Sequence, residues 1–384
     1  MIQARGICYS RAVQLPRYLP ELDVLRGFAI LAVMFHHVGK NLPALHLMKL
    51  GTYGWTGVDL FFVLSGFLIT GILLEAKGKA HYFRNFYARR ILRIWPLYYA
   101  LLAFAFVLLP LAMPSLRAQI FQDAHPWQSY IFFLQNLLCV KPIGFGPVGV
   151  TWSLAIEEQY YLVWPFLVLT LSPRALKLAA IGAFALSVTL RVLQAFGLLH
   201  LAIYTNTFSR LDGIALGSLL AVVLPYANER TVRRVAMLVL PSSVVAVVLT
   251  EWFFGEKTWF LYSGLALAFA SILCLSINSE PLRRMRFLAY TGKISYALYL
   301  LHVPVFDLFR EPRVRSRLEW FHSPVANDLF LLLCMVTAVY LAASASWYFF
   351  ESPILKLKRR FATPATARGF PAIVAGPEAE AASR

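Results

Sequence analysis

About ten stretches of mostly apolar residues run through this chain, and each has roughly the 20-residue length that a helix needs to cross a bilayer. Hydrophobic residues make up 59% of the 384 residues and charged residues only 14%, whereas a soluble domain usually carries about a quarter charged residues. The pattern excludes a single soluble core and predicts an all-α, polytopic bundle of about ten transmembrane helices. The predicted spans are 22–40, 55–76, 94–113, 152–171, 178–199, 208–226, 235–254, 259–278, 287–309 and 328–350.

The basic residues predict how this bundle is oriented. With a cytoplasmic N-terminus, the inner segments carry 23 of the 36 Lys and Arg residues, and the outer side carries nine when Lys40, the last residue of the first span, is counted with the outer loops. This asymmetry predicts that both termini are cytoplasmic, and it accounts for much of the net charge of +17 without nucleic acid. The outer loop 310–327, with four arginines, opposes the trend. The 13-residue run Trp127–Cys139 is too short for a span, and we expect a re-entrant or interfacial segment there.

Three regions follow from this topology. Residues 1–21 are expected to form a cytoplasmic arm, and residues 22–353 the membrane domain. Residues 354–384, rich in Ala, Pro and Gly, are expected to form a disordered cytoplasmic tail.

Ionisable residues within spans are functional candidates, because charge inside a bilayer is costly. Arg26 and His37 in the first span are eleven residues apart, so they share a helical face. They lie about 16 Å from each other along the helix axis. His37 is a candidate proton acceptor. Asp59, at the outer end of the second span, could orient its ring. The alternatives are interfacial packing for Arg26 and His37 and a helix cap for Asp59.

Two further groups lie at the ends of the third and fourth spans. Arg89, Arg90 and Arg93 could bind phosphate, or they could anchor the helix to anionic lipid. Ser153, Glu157 and Tyr161 recur every four residues and predict one polar stripe on the fourth span.

Later spans carry polar residues for which we expect structural roles. Arg210 and Asp212 are interpreted as an internal ion pair that closes the bundle. His302 is interpreted as part of an interfacial aromatic and histidine stripe. No ligand spacing in the sequence indicates a metal site, and no bound cofactor is expected.

The order of these motifs resembles that of the acyltransferase-3 family of membrane acyltransferases, which includes bacterial polysaccharide O-acetyltransferases. The resemblance covers roughly Leu22 to Pro353 and depends on several segments. These are Arg26-x10-His37, GVDLFFVLSGFLI, RRILRIWP, TWSLAIEEQYYLVWP, RLDGIALG, GKISYALYLLH and FFESP.

The resemblance implies transfer of an acyl group, often acetyl, from cytoplasmic acyl-CoA as co-substrate to a hydroxyl, usually of a sugar. The family's histidine falls on His37, its arginine motif on Arg89, Arg90 and Arg93, and its serine–glutamate motif on Ser153 and Glu157.

The hypothesis drawn from residues and resemblance together is an O-acyltransferase of the bacterial inner membrane. The arginines would hold CoA phosphates, with Arg26 extending the basic path. His37 would act as a base or carry the acyl group, and Asp59 or Glu157 would hold its tautomer. The expected partners are acyl-CoA, a carbohydrate or lipid-linked sugar acceptor, and membrane lipid. The alternatives are a transporter or flippase and a polyprenyl-phosphate-dependent glycosyltransferase.

Overall fold

The computed structural model of the protein describes residues 19–38, 42, 51, 53–114, 117–139, 146–254 and 260–361, and this part of the chain contains helices and no strand. Most of the predicted N-terminal arm and of the predicted tail lies outside the described residues. The part of the tail that is described, residues 354–361, is helical.

Twelve helices are labelled in chain order. They are α1 (Pro20–Val38), α2 (Gly57–Ala76), α3 (Tyr82–Ala103), α4 (Trp152–Thr170), α5 (Pro173–Ala195), α6 (Leu211–Val223), α7 (Glu229–Phe254), α8 (Leu261–Ser276), α9 (Arg286–Lys293), α10 (Ser295–Arg310), α11 (Pro324–Ala345) and α12 (Ser352–Lys356). Short α-helices lie at Leu109–Ala112, Arg117–Asp123, Gln135–Leu138, Gly146–Gly149, Glu280–Arg283 and Pro312–Ser316. The 3₁₀ segments are Gly54–Thr56, Trp127–Phe132, Phe208–Arg210, Leu224–Tyr226 and Leu357–Phe361, and the π-helical segments are Phe104–Leu108 and Ser346–Glu351.

Each predicted span coincides with helix over most of its described residues, and six of the helical stretches are long and apolar enough to cross a membrane. Those six are Gly54–Ala76, Tyr82–Ala112, Pro173–Ala195, Phe208–Tyr226, Glu229–Phe253 and Pro324–Phe361. Helix α8 has only 16 residues, and α1 carries charges in its first turns. The all-helical prediction is therefore confirmed, while the count of ten and the cytoplasmic termini remain predictions.

Two predicted segments differ from simple spans. The span 287–309 is interrupted, because α9 ends at Lys293 and α10 begins at Ser295 on the other side of Ile294. The run Trp127–Cys139 forms a 3₁₀ segment and a single short α-helix in place of a spanning helix.

Glycines allow two pairs of helices to approach closely. A Cβ on Gly66 of α2 would overlap the carbonyl oxygen of Ile214 in α6, and one on Gly217 would overlap that of Val63. In the same way, a Cβ on Gly292 of α9 would overlap the Asp23 carbonyl of α1. Small residues at such interfaces let membrane helices pack backbone to backbone. The second contact fixes the start of α1 beside the α9–α10 break.

Buried ion pairs connect the helices near the start of α2. Arg210 donates to Asp59 at 2.8 Å, and Arg191 donates to Asp212 at 2.8 Å; both arginines are fully buried. The predicted pairing of Arg210 with Asp212 is therefore wrong. Residues two apart on a helix project in different directions, so each finds its partner on another element.

Candidate active site

A cavity of about 730 Å³ lies between α1, α2, α3, α4 and the α9–α10 break. Its size falls within the range of small-molecule and cofactor pockets. The basic residues that line it are Arg26, Arg89, Arg90, Arg93, Lys293, Lys356, Lys358 and Arg359. Among the described residues that line it, only Asp23 and Glu157 are acidic. The excess of positive charge favours an anionic ligand.

The arginines of α3 are held by aromatic rings. The Arg90 guanidinium lies 5.7 Å from the centre of the Tyr161 ring. Arg93 lies between the rings of Tyr296 and Trp347, at 5.9 and 5.6 Å. Such stacking fixes the position of a cation and leaves its hydrogen-bond donors available.

The ion pairing of these cations differs along the cavity. Among the residues that the structure describes, no carboxylate lies within ion-pair distance of Arg89, Arg90 or Arg93. Arg26, in contrast, donates to Asp23 at 2.6 Å. The three arginines of α3 therefore form the part of the cavity best suited to phosphate groups.

The predicted polar stripe of α4 begins beside the arginines, where the Tyr161 ring meets Arg90, and runs to Ser153 along the same cavity. Ser153, Glu157 and Tyr161 all line that cavity. The Tyr161 hydroxyl donates to Glu157 at 2.7 Å, and the Ser153 hydroxyl lies 2.6 Å from that of Tyr299 on α10. The carboxylate and hydroxyls therefore lie within the same cavity as the phosphate-binding candidates.

The two histidines lie just beyond the Ser153 end of this stripe. Nε2 of His302 is 3.3 Å from Nδ1 of His37, and the two rings meet edge to face with centres 4.9 Å apart. Nδ1 of His302 is 2.8 Å from the Tyr299 carbonyl, and Nδ1 of His37 is 2.9 Å from the Val33 carbonyl. Carbonyls only accept, so Nδ1 carries the proton in each neutral ring. The basic nitrogen of neutral His37 is then Nε2.

His37 and Asp59 are therefore placed differently from the other predicted site residues. Neither lines the cavity. His37 is connected to it through His302 and Tyr299. Asp59 is bound by Arg210 in an aromatic environment, with the Tyr262 ring centre 4.0 Å from that guanidinium. The structure thus pairs Asp59 with a buried arginine, and its role in orienting His37 stays a prediction.

Sequence reasoning missed the relation between His37 and His302. His302 is fully buried, which corrects its interpretation as part of an interfacial stripe. The available signal was the spacing of Tyr299 and His302, which are three residues apart and therefore neighbours on one helical face.

The basic residues of the cavity also include four that the sequence did not single out, namely Lys293, Lys356, Lys358 and Arg359. Among the described residues, no group of three or more His, Cys, Asp or Glu side chains is arranged to hold a metal ion.

Fold and site together define a class: a helical membrane protein with an internal cavity that is lined by clustered cations and by a carboxylate and hydroxyls. The model of the acyltransferase domain family matches residues 19–353 of this chain. The chain belongs to that family and is an integral membrane protein.

Curated relatives agree with this assignment. The chain is 29% identical over 366 residues to the O-acetyltransferase OatA of Staphylococcus aureus (strain NCTC 8325 / PS 47), covering 89% of this chain and 58% of the relative. It is 29% identical over 378 residues to the peptidoglycan O-acetyltransferase OatA of Listeria monocytogenes, covering 91% and 57%. It is 31% identical over 365 residues to the putative peptidoglycan O-acetyltransferase YrhL of Bacillus subtilis, covering 88% and 55%.

The chain thus spans a little over half the length of these relatives. No solved structure matches it.

Proposed function

We propose that this protein is an O-acetyltransferase that moves an acetyl group from acetyl-CoA, bound in the basic cavity, to a sugar hydroxyl of a peptidoglycan-type glycan. The observation that carries the proposal is the cavity itself, which joins clustered cations to the Glu157–Tyr161 and Ser153–Tyr299 pairs. The cations and the polar groups lie on different helices but line the same cavity, so a single extended ligand can contact both.

The donor is inferred from the order of chemical groups along the cavity. Acyl-CoA carries its phosphates at one end and its thioester at the other, separated by the pantetheine chain. The arginines of α3 suit the phosphates, because guanidinium groups bind phosphate oxygens bidentately. The thioester then reaches the Ser153–Tyr299 pair, beyond Glu157. This orientation agrees with the expected cytoplasmic side of α3, from which acyl-CoA would enter.

The acceptor is inferred from the relatives, two of which have peptidoglycan in their names. A glycan hydroxyl would approach His37 from the side opposite the donor. Nε2 of His37 would take the hydroxyl proton as the oxygen attacks the thioester carbonyl. The new C–O ester bond replaces the C–S bond, and the proton passes to the departing CoA sulfur. A covalent acyl-histidine at the same nitrogen is the alternative route.

Glu157 and the second histidine would support this chemistry. The carboxylate of Glu157 is held by Tyr161 within the cavity, where it would position the reacting groups. His302 accepts from His37 and would hold its ring in the Nδ1–H tautomer. This assignment leaves Asp59 outside the catalytic set.

The test is turnover of labelled acetyl-CoA by the full chain, purified in detergent with a soluble peptidoglycan fragment as acceptor. We compare wild type with His37→Ala, Arg90→Ala and the control Arg230→Ala, whose side chain is exposed on α7. We expect wild type and the control to transfer acetyl. His37→Ala should lose transfer and keep CoA binding, and Arg90→Ala should bind CoA more weakly. His37→Ala that still transfers acetyl would overturn the role of His37.

The same experiment separates the alternatives. Transfer in detergent without a membrane gradient excludes a pure transporter. If wild type binds no acetyl-CoA but binds a polyprenyl-phosphate sugar, the arginines serve a glycosyltransferase and acetyl-CoA is not the donor.

A further inference from the structure

Residues 352–361, which we call the C-terminal strap, fold back across the N-terminal half of α3. The strap comprises α12 and the 3₁₀ segment Leu357–Phe361, and both pack against α3. The sequence pattern predicts a disordered tail for most of this segment. In the structure it forms one side of the cavity mouth.

Five strap residues line the cavity, and three of them are basic. The five are Ser352, Leu355, Lys356, Lys358 and Arg359. Among the described residues, no carboxylate lies within ion-pair distance of any of the three cations. Basic side chains turned toward other basic side chains repel one another unless an anion lies between them.

The crowding of basic side chains is most direct at Lys358. Lys358 is partly buried, and it lines a small side pocket with Arg89 and Arg90 of α3. The same pocket includes Asn85, whose buried Oδ1 has no hydrogen-bond partner within the described part of the chain. Tyr82, the first residue of α3, also lines it. This pocket therefore lies along the N-terminal half of α3, and neither Ser153 nor Tyr299 lines it.

We propose that the strap binds the 3′-phosphate of the CoA nucleotide and thereby selects CoA over donors that lack this group. The inference rests on the proposed function, because it assumes that the cavity holds acyl-CoA. Along CoA the order is thioester, pantetheine, pyrophosphate, and ribose with its 3′-phosphate. With the thioester at the Ser153–Tyr299 pair, beyond Glu157 and Tyr161, and the pyrophosphate beside Arg89 and Arg93, the last phosphate would reach Lys358.

The experiment measures equilibrium binding of CoA and of 3′-dephospho-CoA to the full chain in detergent without added lipid. Wild type is expected to prefer CoA by about tenfold or more, since a charge-assisted hydrogen bond to phosphate contributes on that scale. The double variant Lys356→Ala/Lys358→Ala is expected to lose the preference by weakening CoA binding alone. Lys358→Arg is expected to keep it, because the charge is retained, and unchanged binding of 3′-dephospho-CoA shows that the double variant folds.

The matched control is Arg360→Ala, which removes the same charge from the same strap at an exposed position that does not line the cavity. It should keep the wild-type preference. The inference is overturned if the double variant keeps its preference, or if it weakens both ligands equally. Either result assigns the strap to a lipid phosphate or to general electrostatics. If wild type binds neither nucleotide, the proposed acetyl-CoA donor fails as well, so the two failures are distinguishable.

Discussion

Nε2 of His302 lies 3.3 Å from Nδ1 of His37 and shares that nitrogen's proton with the Val33 carbonyl, a contact that joins the last third of the chain to its first helix. His302 is fully buried and donates to backbone carbonyls of its own helix. Its ring is therefore fixed before any substrate arrives. A fixed acceptor at this position selects one tautomer of His37 and leaves Nε2 of His37 as the basic nitrogen.

His302→Leu should lower kcat about tenfold and leave the KM for acetyl-CoA near its wild-type value. The physical reason is loss of one orienting hydrogen bond outside the donor cavity. His302→Gln should recover part of the activity, because its amide oxygen can still accept from His37. The measurement is steady-state kinetics over a range of pH, with His200→Gln on an exposed loop as control. A raised KM with unchanged kcat would assign His302 to donor binding.

Glu157→Gln should lower kcat about tenfold or more, because it removes the charge of the carboxylate that positions the reacting groups, and a hydrogen bond to a charged group contributes on that scale. Tyr161→Phe should cost only a few-fold, because it removes one hydrogen bond to Glu157 but keeps the ring beside Arg90. Both variants are compared by kcat and KM for acetyl-CoA. If Tyr161→Phe is as damaging as Glu157→Gln, the tyrosine hydroxyl takes part in the chemistry itself and does more than hold the carboxylate.

Arg210→Met should destabilise the bundle by about 3–5 kcal/mol, because it leaves the buried carboxylate of Asp59 without its cation. The double variant Arg210→Met/Asp59→Leu should recover much of that loss. Thermal unfolding in detergent measures both effects. Asp307→Asn provides the comparison, since its pair with Arg310 is more exposed and should contribute about 1 kcal/mol or less. Strict additivity of the two single changes would show that Asp59 and Arg210 do not stabilise each other.

Gly66→Ala should lower the unfolding temperature markedly, because the new Cβ overlaps the Ile214 carbonyl and forces α2 away from α6. Gly182→Ala on α5 is the matched control, since its Cβ would meet nothing within 4 Å. That control should be neutral or stabilising by up to about 1 kcal/mol, from helix propensity alone. Equal melting temperatures for the two variants would contradict the close packing of α2 and α6.

Hydrophobic periodicity was enough to place the helices and to show which residues share a face. Ser153, Glu157 and Tyr161 do line one cavity with Arg90, as their spacing suggested. The spacing of residues along a helix determines which of them share a face, and this does not depend on how the helices pack together.

Partners on other helices could not be predicted in this way. Asp59 pairs with Arg210, 151 residues later, and His37 meets His302, 265 residues later. Such pairings depend on which helices touch, and that depends on shape details such as the absence of a Cβ at Gly66 and Gly292. The strap was missed for a related reason, because its polar sequence resembles a solvated tail unless the cavity above it is known.

Aromatic rings hold three cations of the cavity in place. Arg90, Arg93 and Lys293 each lie against an aromatic ring before any donor binds. A free arginine or lysine side chain loses about 1.5–2 kcal/mol of rotamer entropy when it is immobilised. In this cavity much of that ordering occurs when the protein folds, so the donor meets a preorganised surface and its association is opposed by less side-chain entropy.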